Sequence, residues 1–340
     1  MSAATARSEA GRFALGDLTL QSGEVMAGAT LSWKTHGTLS AARDNVVVYP
    51  TSYTAKHPDL EWLIGPDGIL DPGRWFIVIP DMFANGLSTS PSNSAAYPAL
   101  VTAADNVRAQ RRLLGEQFGI ERVACAYGFS MGAQQAYHWA ALFPDIVDRA
   151  VILCGSARTS VHNQVFLLSL LATLDAAPEH IGGGRFSAVP VAAIRAFSRI
   201  YAGWAMSQDW YRAGLHLSST GATTLDAFLD EQWEPGFARC AAEDLYSQAR
   251  TWLASDISAN DLYGHDLVAA LQAIRARVLL MPARTDLYFP VADNAAELPH
   301  LVHGELRPIP TIWGHRAGSP AYGGADLAFV RDAVRDWLDR

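Results

Sequence analysis

The chain has 340 residues, 50% of them hydrophobic and 18% charged, and a formal net charge of -8. Such a composition supports a large buried core and excludes a disordered chain. Acids and bases are interspersed without a basic patch, which argues against a nucleic-acid partner. No apolar run reaches the roughly 18 to 20 residues that a bilayer span needs.

The first stretch, residues 1–13, is small and polar. It has no hydrophobic h-region, so no secretion signal is expected and a cytoplasmic location is. Leu31-Ser-Trp-Lys-Thr-His36 alternates with period two and predicts a strand. Asn45-Val-Val-Val-Tyr49 and Trp75-Phe-Ile-Val-Ile79 are continuous apolar runs closed by Pro50 and Pro80. A helical pattern follows at 101–118, then a short buried strand at 122–127. A helix is expected over 133–143, stopped by Pro144. The next strand is expected at 149–154.

The rhythm changes over 158–263, where helical periodicity runs without clear strands. This stretch carries Trp204, Trp210, Trp233 and Trp252, and a loop at Ile181-Gly-Gly-Gly184. Beyond it come helices at 267–274 and 327–338 and strands at 277–281 and 305–309. Apolar strands alternating with helices are what a mostly parallel sheet covered on both faces produces. The expected division is a core of residues 1–157 and 264–340, interrupted by a helical cap at 158–263. A cap over the strand ends would shape a pocket and exclude water. The three cysteines, Cys125, Cys154 and Cys240, are odd in number and form no close pair. That argues against a disulfide framework and a zinc site, and fits free core thiols.

Gly128-Phe-Ser-Met-Gly132 has the Gly-x-Ser-x-Gly form of a nucleophile elbow. In this device a serine sits on a sharp turn between a strand and a helix, and the predicted neighbours are a strand and a helix. Ser130 is therefore the expected nucleophile. A serine hydroxyl needs a base, usually histidine, oriented by a carboxylate. In elbow enzymes the chain order is serine, acid, histidine. Asp286, in Pro282-Ala-Arg-Thr-Asp-Leu-Tyr-Phe-Pro290, follows the strand at 277–281 and is the expected orienting acid, with Asp261 and Asp293 as rivals. His315, in Ile312-Trp-Gly-His-Arg-Ala-Gly318, is the expected general base and acid. Acyl transfer also needs donors aimed at the developing oxyanion. The expected donors are the backbone N–H groups of Met131, after the nucleophile, and Tyr53, in the loop after Pro50.

With these residues in place the chain resembles the homoserine O-acetyltransferase family of the α/β-hydrolase superfamily. The likeness runs from about residue 13 onward. It includes Leu70-Asp-Pro-Gly-Arg-Trp-Phe-Ile-Val-Ile79, Asn85-Gly-Leu-Ser-Thr-Ser-Pro91, the elbow and the Trp-Gly-His loop. The resemblance implies an α/β-hydrolase fold: an eight-stranded, mostly parallel sheet with helices on both faces and an inserted helical lid. It implies a Ser130, Asp286, His315 triad working through an acyl-enzyme, and places Tyr53 at the oxyanion-loop position. It also implies a homodimer paired through the lid.

The departures bear on the substrate. The acetyltransferases carry glycines where this chain has Phe129 and Ala133. They carry an aspartate after the histidine, which holds the ammonium group of homoserine; here that position is Arg316, which would repel it. Arg199 does not align with the lid arginine that binds the homoserine carboxylate. Phe129, Trp204 and Arg316 are the expected pocket residues, Arg316 meeting either an anionic substrate group or a surface carboxylate.

The leading reading is thus a cofactor-free serine hydrolase acting on an ester, thioester or amide. A second is an O-acyltransferase using a CoA thioester as co-substrate and the same triad. A non-catalytic binding protein on the same fold is the third, disfavoured because none of the three residues is substituted. The expected partner is a small acyl substrate, with no metal, membrane or nucleic acid.

Overall fold

The continuous apolar runs become central strands because only a strand covered by helices on both faces can bury every side chain. The computed structural model describes residues 7–340. In chain order the strands are β1 (Ser8–Thr19), β2 (Val25–His36), β3 (Val46–Val48), β4 (Phe76–Pro80), β5 (Cys125–Phe129), β6 (Arg149–Leu153), β7 (His180–Gly182), β8 (Arg185–Phe186), β9 (Arg277–Met281) and β10 (Gly304–Leu306). All but β7 and β8 form one eight-stranded sheet in the order β1-β2-β4-β3-β5-β6-β9-β10. The strands from β4 to β10 run parallel. β2 joins β4 antiparallel, and β1 joins β2 antiparallel to form a long edge ribbon.

β1 has no counterpart among the predicted strands. Its buried apolar positions are Phe13 and Leu15, set among mostly exposed residues, so its hydrophobic signal is thin. It is built by pairing with β2 rather than by burial.

The helices are α1 (His57–Leu60), α2 (Ala103–Arg112, continued by a wider turn at Leu113–Gln117), α3 (Met131–Leu142), α4 (Val161–Asp175) and α5 (Val191–Ala205). Four short pieces follow: α6 (Gln208–Arg212), α7 (Leu215–Ser218), α8 (Leu225–Phe228) and α9 (Glu234–Ala238). α10 (Ala242–Leu253), α11 (Leu267–Ala273), α12 (Val291–Glu297) and α13 (Gly324–Asp339) complete the chain. Strand side chains alternate between the two faces. Val46, Val48, Ala126 and Ile152 pack with Val107 of α2, Ala136 of α3 and Leu271 of α11. Val47, Ile77, Val151 and Leu279 pack with Val330, Val334 and Trp337 of α13. α3 is buried along its whole length, as the helix behind an elbow must be.

Between β6 and β9 the chain leaves the sheet through α4–α10. The glycine-rich loop expected in this stretch proves to be the turn of a small antiparallel hairpin, β7–β8. Gly182, Gly183 and Gly184 make that turn at φ of 97°, 61° and 71°, values that a side chain disfavours. The segment rests on an aromatic cluster in which Phe166, Phe197 and Trp252 meet Tyr53, Tyr288 and Phe289 of the sheet loops and Met131 at the start of α3.

The crossing pattern positions the site. After β3 the chain moves to β4 on one side, and after β4 it returns to β5 on the other. Ligands of such sheets bind where the winding reverses, at the carboxyl ends of the strands. The loops that leave β3 and β5 are therefore neighbours at that edge.

Candidate active site

The elbow is built by close backbone approach. Ser130 has φ 56° and ψ -127°, a strained conformation for a residue with a side chain. A Cβ on Gly128 would lie 2.1 Å from the Gly132 carbonyl oxygen, so only glycine lets the strand turn so tightly into α3. A Cβ on Gly132 would lie 2.6 Å from the Pro50 carbonyl oxygen, so this glycine lets the loop after β3 close on the helix.

Ser130, Asp286 and His315 are brought together from three loops at the same rim. His315 Nε2 lies 2.8 Å from Ser130 Oγ, and His315 Nδ1 lies 2.7 Å from Asp286 Oδ2. A carboxylate only accepts, so the ring proton belongs on Nδ1, and Nε2 is free to accept the serine hydroxyl. Asp286 is fixed by its other oxygen, which accepts from the backbone N–H of Tyr288 at 2.8 Å and of Phe289 at 3.2 Å. The side chains of Asp286 and His315 are 0% and 5% exposed, so water does not compete for their hydrogen bond. The imidazole is bracketed by Phe129, Tyr288 and Phe289, with ring centroids at 4.7, 4.8 and 5.6 Å. The rival acids are elsewhere: Asp261 is exposed and Asp293 has no bond to His315. His138 spends its Nδ1 on the Gln134 carbonyl within α3, 2.8 Å away.

Cys154 lies behind the relay, its sulfur within 4.8 Å of ligand atoms of Asp286 and His315. Burial first, and then the Asp286 carboxylate, push its thiol well above the usual range, so it stays a neutral S–H. Asp286 and His315 are committed to each other and to the loops that hold them, which makes this trio a poor metal cage.

The loop after β3 is held on four sides. Ser52 Oγ donates to the Phe129 carbonyl at 2.5 Å, and Gln135 Nε2 donates to the Thr51 carbonyl at 2.9 Å. Thr51 Oγ1 accepts from the Met82 N–H at 2.9 Å. Asp81 accepts from the His57 N–H at 2.9 Å and the Asn85 side chain at 2.8 Å, and its other oxygen pairs with His57 Nδ1 at 2.7 Å. Asn85 opens the Asn-Gly-Leu-Ser stretch, which thereby has a scaffolding task. Tyr53 sends its hydroxyl to the Leu245 carbonyl, 2.8 Å away, so its side chain ties the loop to α10. Neither the Tyr53 nor the Met131 backbone N–H has a hydrogen-bond partner among the described residues. Met131 is also the first residue of α3, where the helix dipole favours negative charge.

A cavity of about 310 Å³ opens onto Ser130 and His315. Phe129 and Arg316 line it, as expected, together with Tyr53, Tyr201 and Trp233. Trp204 does not: it packs on Phe166 at 5.1 Å and His162 at 4.7 Å. The wall from α5 is instead Tyr201 and Ala205, which are four residues apart and share a helix face. Arg199 sits outside, paired with Asp226, Asp230 and Glu234. Arg316 makes no such surface pair among the described residues. Sequence reasoning passed over Ser52, Tyr288 and Phe289. The last two follow an aspartate in a turn, and an aspartate that caps the backbone two residues on is the signal that finds them.

The sequence matches the α/β-hydrolase fold family over residues 60–310. A probable esterase of Corynebacterium glutamicum is 36% identical over 315 residues, covering 88% of each chain. An ethyl acetate hydrolase of Pseudomonas veronii is 34% identical, covering 88% of this chain and 87% of its own. The crystal structure of an acetylester hydrolase from Corynebacterium glutamicum superposes with a TM-score of 0.92 at 31% identity, over 98% of this chain and 96% of that one. Homoserine O-acetyltransferases also match, at lower identity. The chain belongs to the α/β-hydrolase fold family, among relatives that include both esterases and homoserine O-acetyltransferases.

Proposed function

We propose that this chain is a serine esterase that hydrolyses small acyl esters through an acyl-enzyme. The observation that carries the reading is the unbroken hydrogen-bonded series from Asp286 through His315 to Ser130, open to a small cavity. Ser130 Oγ attacks the ester carbonyl while His315 Nε2 takes its proton. Asp286 holds the ring and stabilises the imidazolium. The Met131 and Tyr53 N–H groups receive the oxyanion; removing one such donor costs about 100- to 1000-fold in rate. His315 then gives the proton to the departing alkoxide, and water releases the acyl group by the reverse path. This chemistry needs no metal or cofactor.

The small cavity, at the low end of ligand-site volumes, suits an acetyl-sized acyl group. The acetylester and ethyl acetate hydrolases among the relatives support the same choice. The segment from α4 to α10 serves as the lid that limits water at the rim. Three free cysteines favour a reducing compartment, the cytoplasm.

The test is turnover of p-nitrophenyl acetate and ethyl acetate, followed by acetyl-CoA with homoserine. Ester hydrolysis without CoA release is expected, and Ser130→Ala is expected to lower it roughly a million-fold, to the assay floor. Homoserine-dependent CoA release exceeding ester hydrolysis would replace hydrolysis with acyl transfer. A fully active Ser130→Ala variant would remove the mechanism altogether.

A further inference from the structure

The cavity wall holds two arginines, and they are not equivalent. Arg239 is paired with Asp59, at 3.2 Å. Arg316 has no carboxylate in ion-pair reach among the described residues, and the titratable groups that act on it are the phenols of Tyr322 and Tyr201, both kept neutral by burial. It is exposed, and it lines the cavity that also opens onto Ser130 and His315. Desolvation by the surrounding walls lowers its pKa, but a guanidinium stays charged at neutral pH. A cation with no ion-pair partner, lining the same cavity as the nucleophile, is available to an anionic group that enters there. Its position is also constrained: it is the residue after His315, on the short helical turn Gly314–Gly318, so it moves with the relay.

We infer that Arg316 is a specificity-determining residue that receives a carboxylate carried by the substrate, so that the preferred esters of this enzyme are anionic. This deepens the esterase reading and rests on it. Guanidinium and carboxylate match as planar, bidentate partners, which fixes orientation as well as adding affinity. The carboxylate can belong to the acyl part or to the alcohol part of the ester, and the two sources are separable.

The experiment compares kcat/KM within two isosteric pairs. Monomethyl succinate against methyl 4-methylpentanoate places the charge on the acyl side. 3-Acetoxypropanoate against 3-methylbutyl acetate places it on the alcohol side. In one pair the anionic ester is expected to exceed its neutral isostere by roughly 10- to 100-fold, the range of a charge-assisted hydrogen bond. Arg316→Gln is expected to bring that ratio to about one or below, and Arg316→Lys to restore part of it. Preference for the neutral ester in both pairs would overturn the inference. So would an Arg316→Gln loss that is equal for neutral and anionic esters, because that marks a general electrostatic effect on the relay. Failure of the esterase reading looks different: no ester of either kind is turned over, or turnover survives Ser130→Ala.

Discussion

At the rim of the sheet, position is set by backbone; in the segment between β6 and β9 it is set by side-chain packing. Gly128 and Gly132 sit where a single Cβ would strike a carbonyl oxygen, and the loops carrying Asp286 and His315 are pinned by individual hydrogen bonds. The segment above is held by rings: Phe166 contacts Tyr201, Trp204, Trp252 and Tyr288 at centroid distances of 4.6 to 6.0 Å. Its outer face carries exposed ion pairs such as Arg195 with Asp230 and Glu234, which contribute little in water. Few-atom contacts leave no slack, whereas apolar packing tolerates rearrangement if volume is kept. The two regions should therefore fail differently when perturbed.

The largest effect is expected at the relay. In Asp286→Asn, the amide oxygen can still accept from the Tyr288 and Phe289 N–H groups. Its NH2 then faces His315 Nδ1, pushes the ring proton to Nε2, and leaves nothing to accept the Ser130 hydroxyl. Ester hydrolysis should fall about 10,000-fold, while the melting temperature stays within a few degrees of the parent. Rate and thermal melting measured on the same preparation check this. A variant retaining a tenth of the rate would show that the rim has slack after all.

This contrast also explains what could be read from the amino-acid order. Glycines at a close approach leave a mark at fixed spacing, so Ser130 and His315 stand out, and Asp286 follows from its place after a buried strand. Central strands announce themselves because burial on both faces demands unbroken apolar runs. β1 escapes notice because half of it faces water and its partner is β2, not a helix. The cavity wall escapes for another reason. Periodicity shows that α5 is buried on one side but not which rows look into a cavity, so Trp204, with its large ring, was expected where Tyr201 and Ala205 stand. That Arg316 has no ion-pair partner among the described residues is likewise a three-dimensional fact, since any carboxylate on the surface had the chance to meet it.

A smaller effect on rate is expected where the two regions touch. Gly314 has φ 59°, and a Cβ there would lie 2.7 Å from the Ala205 carbonyl oxygen and 2.8 Å from the Ser207 nitrogen. Both contacts belong to the chain leaving α5. Gly314→Ala therefore forces either the segment after α5 or the His315 loop to move. A displacement of about 1 Å at a reacting group costs roughly 100-fold. The expected outcome is a fall in kcat of that order with KM changed less. Unchanged kcat would mean that the segment after α5 yields and the rim does not, which sharpens the contrast rather than removing it.

The smallest effect on rate, near zero, is expected from Glu297, though it governs stability. This side chain of α12 accepts from the Ala157 N–H at 2.8 Å, where the chain leaves the sheet for α4, and from Tyr137 of α3 and the Asn294 side chain at 2.9 Å each. Burial raises its pKa to about 7 against an ordinary 4.5. Between those values the folded protein holds a proton that the unfolded chain has lost, so stability falls as pH rises through this window. The contribution is fully present below about pH 4.5 and gone above about pH 7, and the shift corresponds to on the order of 3 kcal/mol. Asp244 and Asp293, also raised by burial, act with the same sign. Denaturant midpoints at pH 5.5 and 8 should therefore differ, and Glu297→Gln should narrow the difference by raising the midpoint at pH 8 relative to the parent. Ester turnover measured at one pH should be unaffected, because Glu297 touches neither Ser130 nor His315. If instead the midpoint rises with pH in the parent and the substitution lowers it at pH 8, then the donors from Tyr137, Asn294 and Ala157 outweigh burial. The carboxylate would then be a stabilising anion, and the exit of the chain from β6 toward α4 would be held by charge, as the relay is.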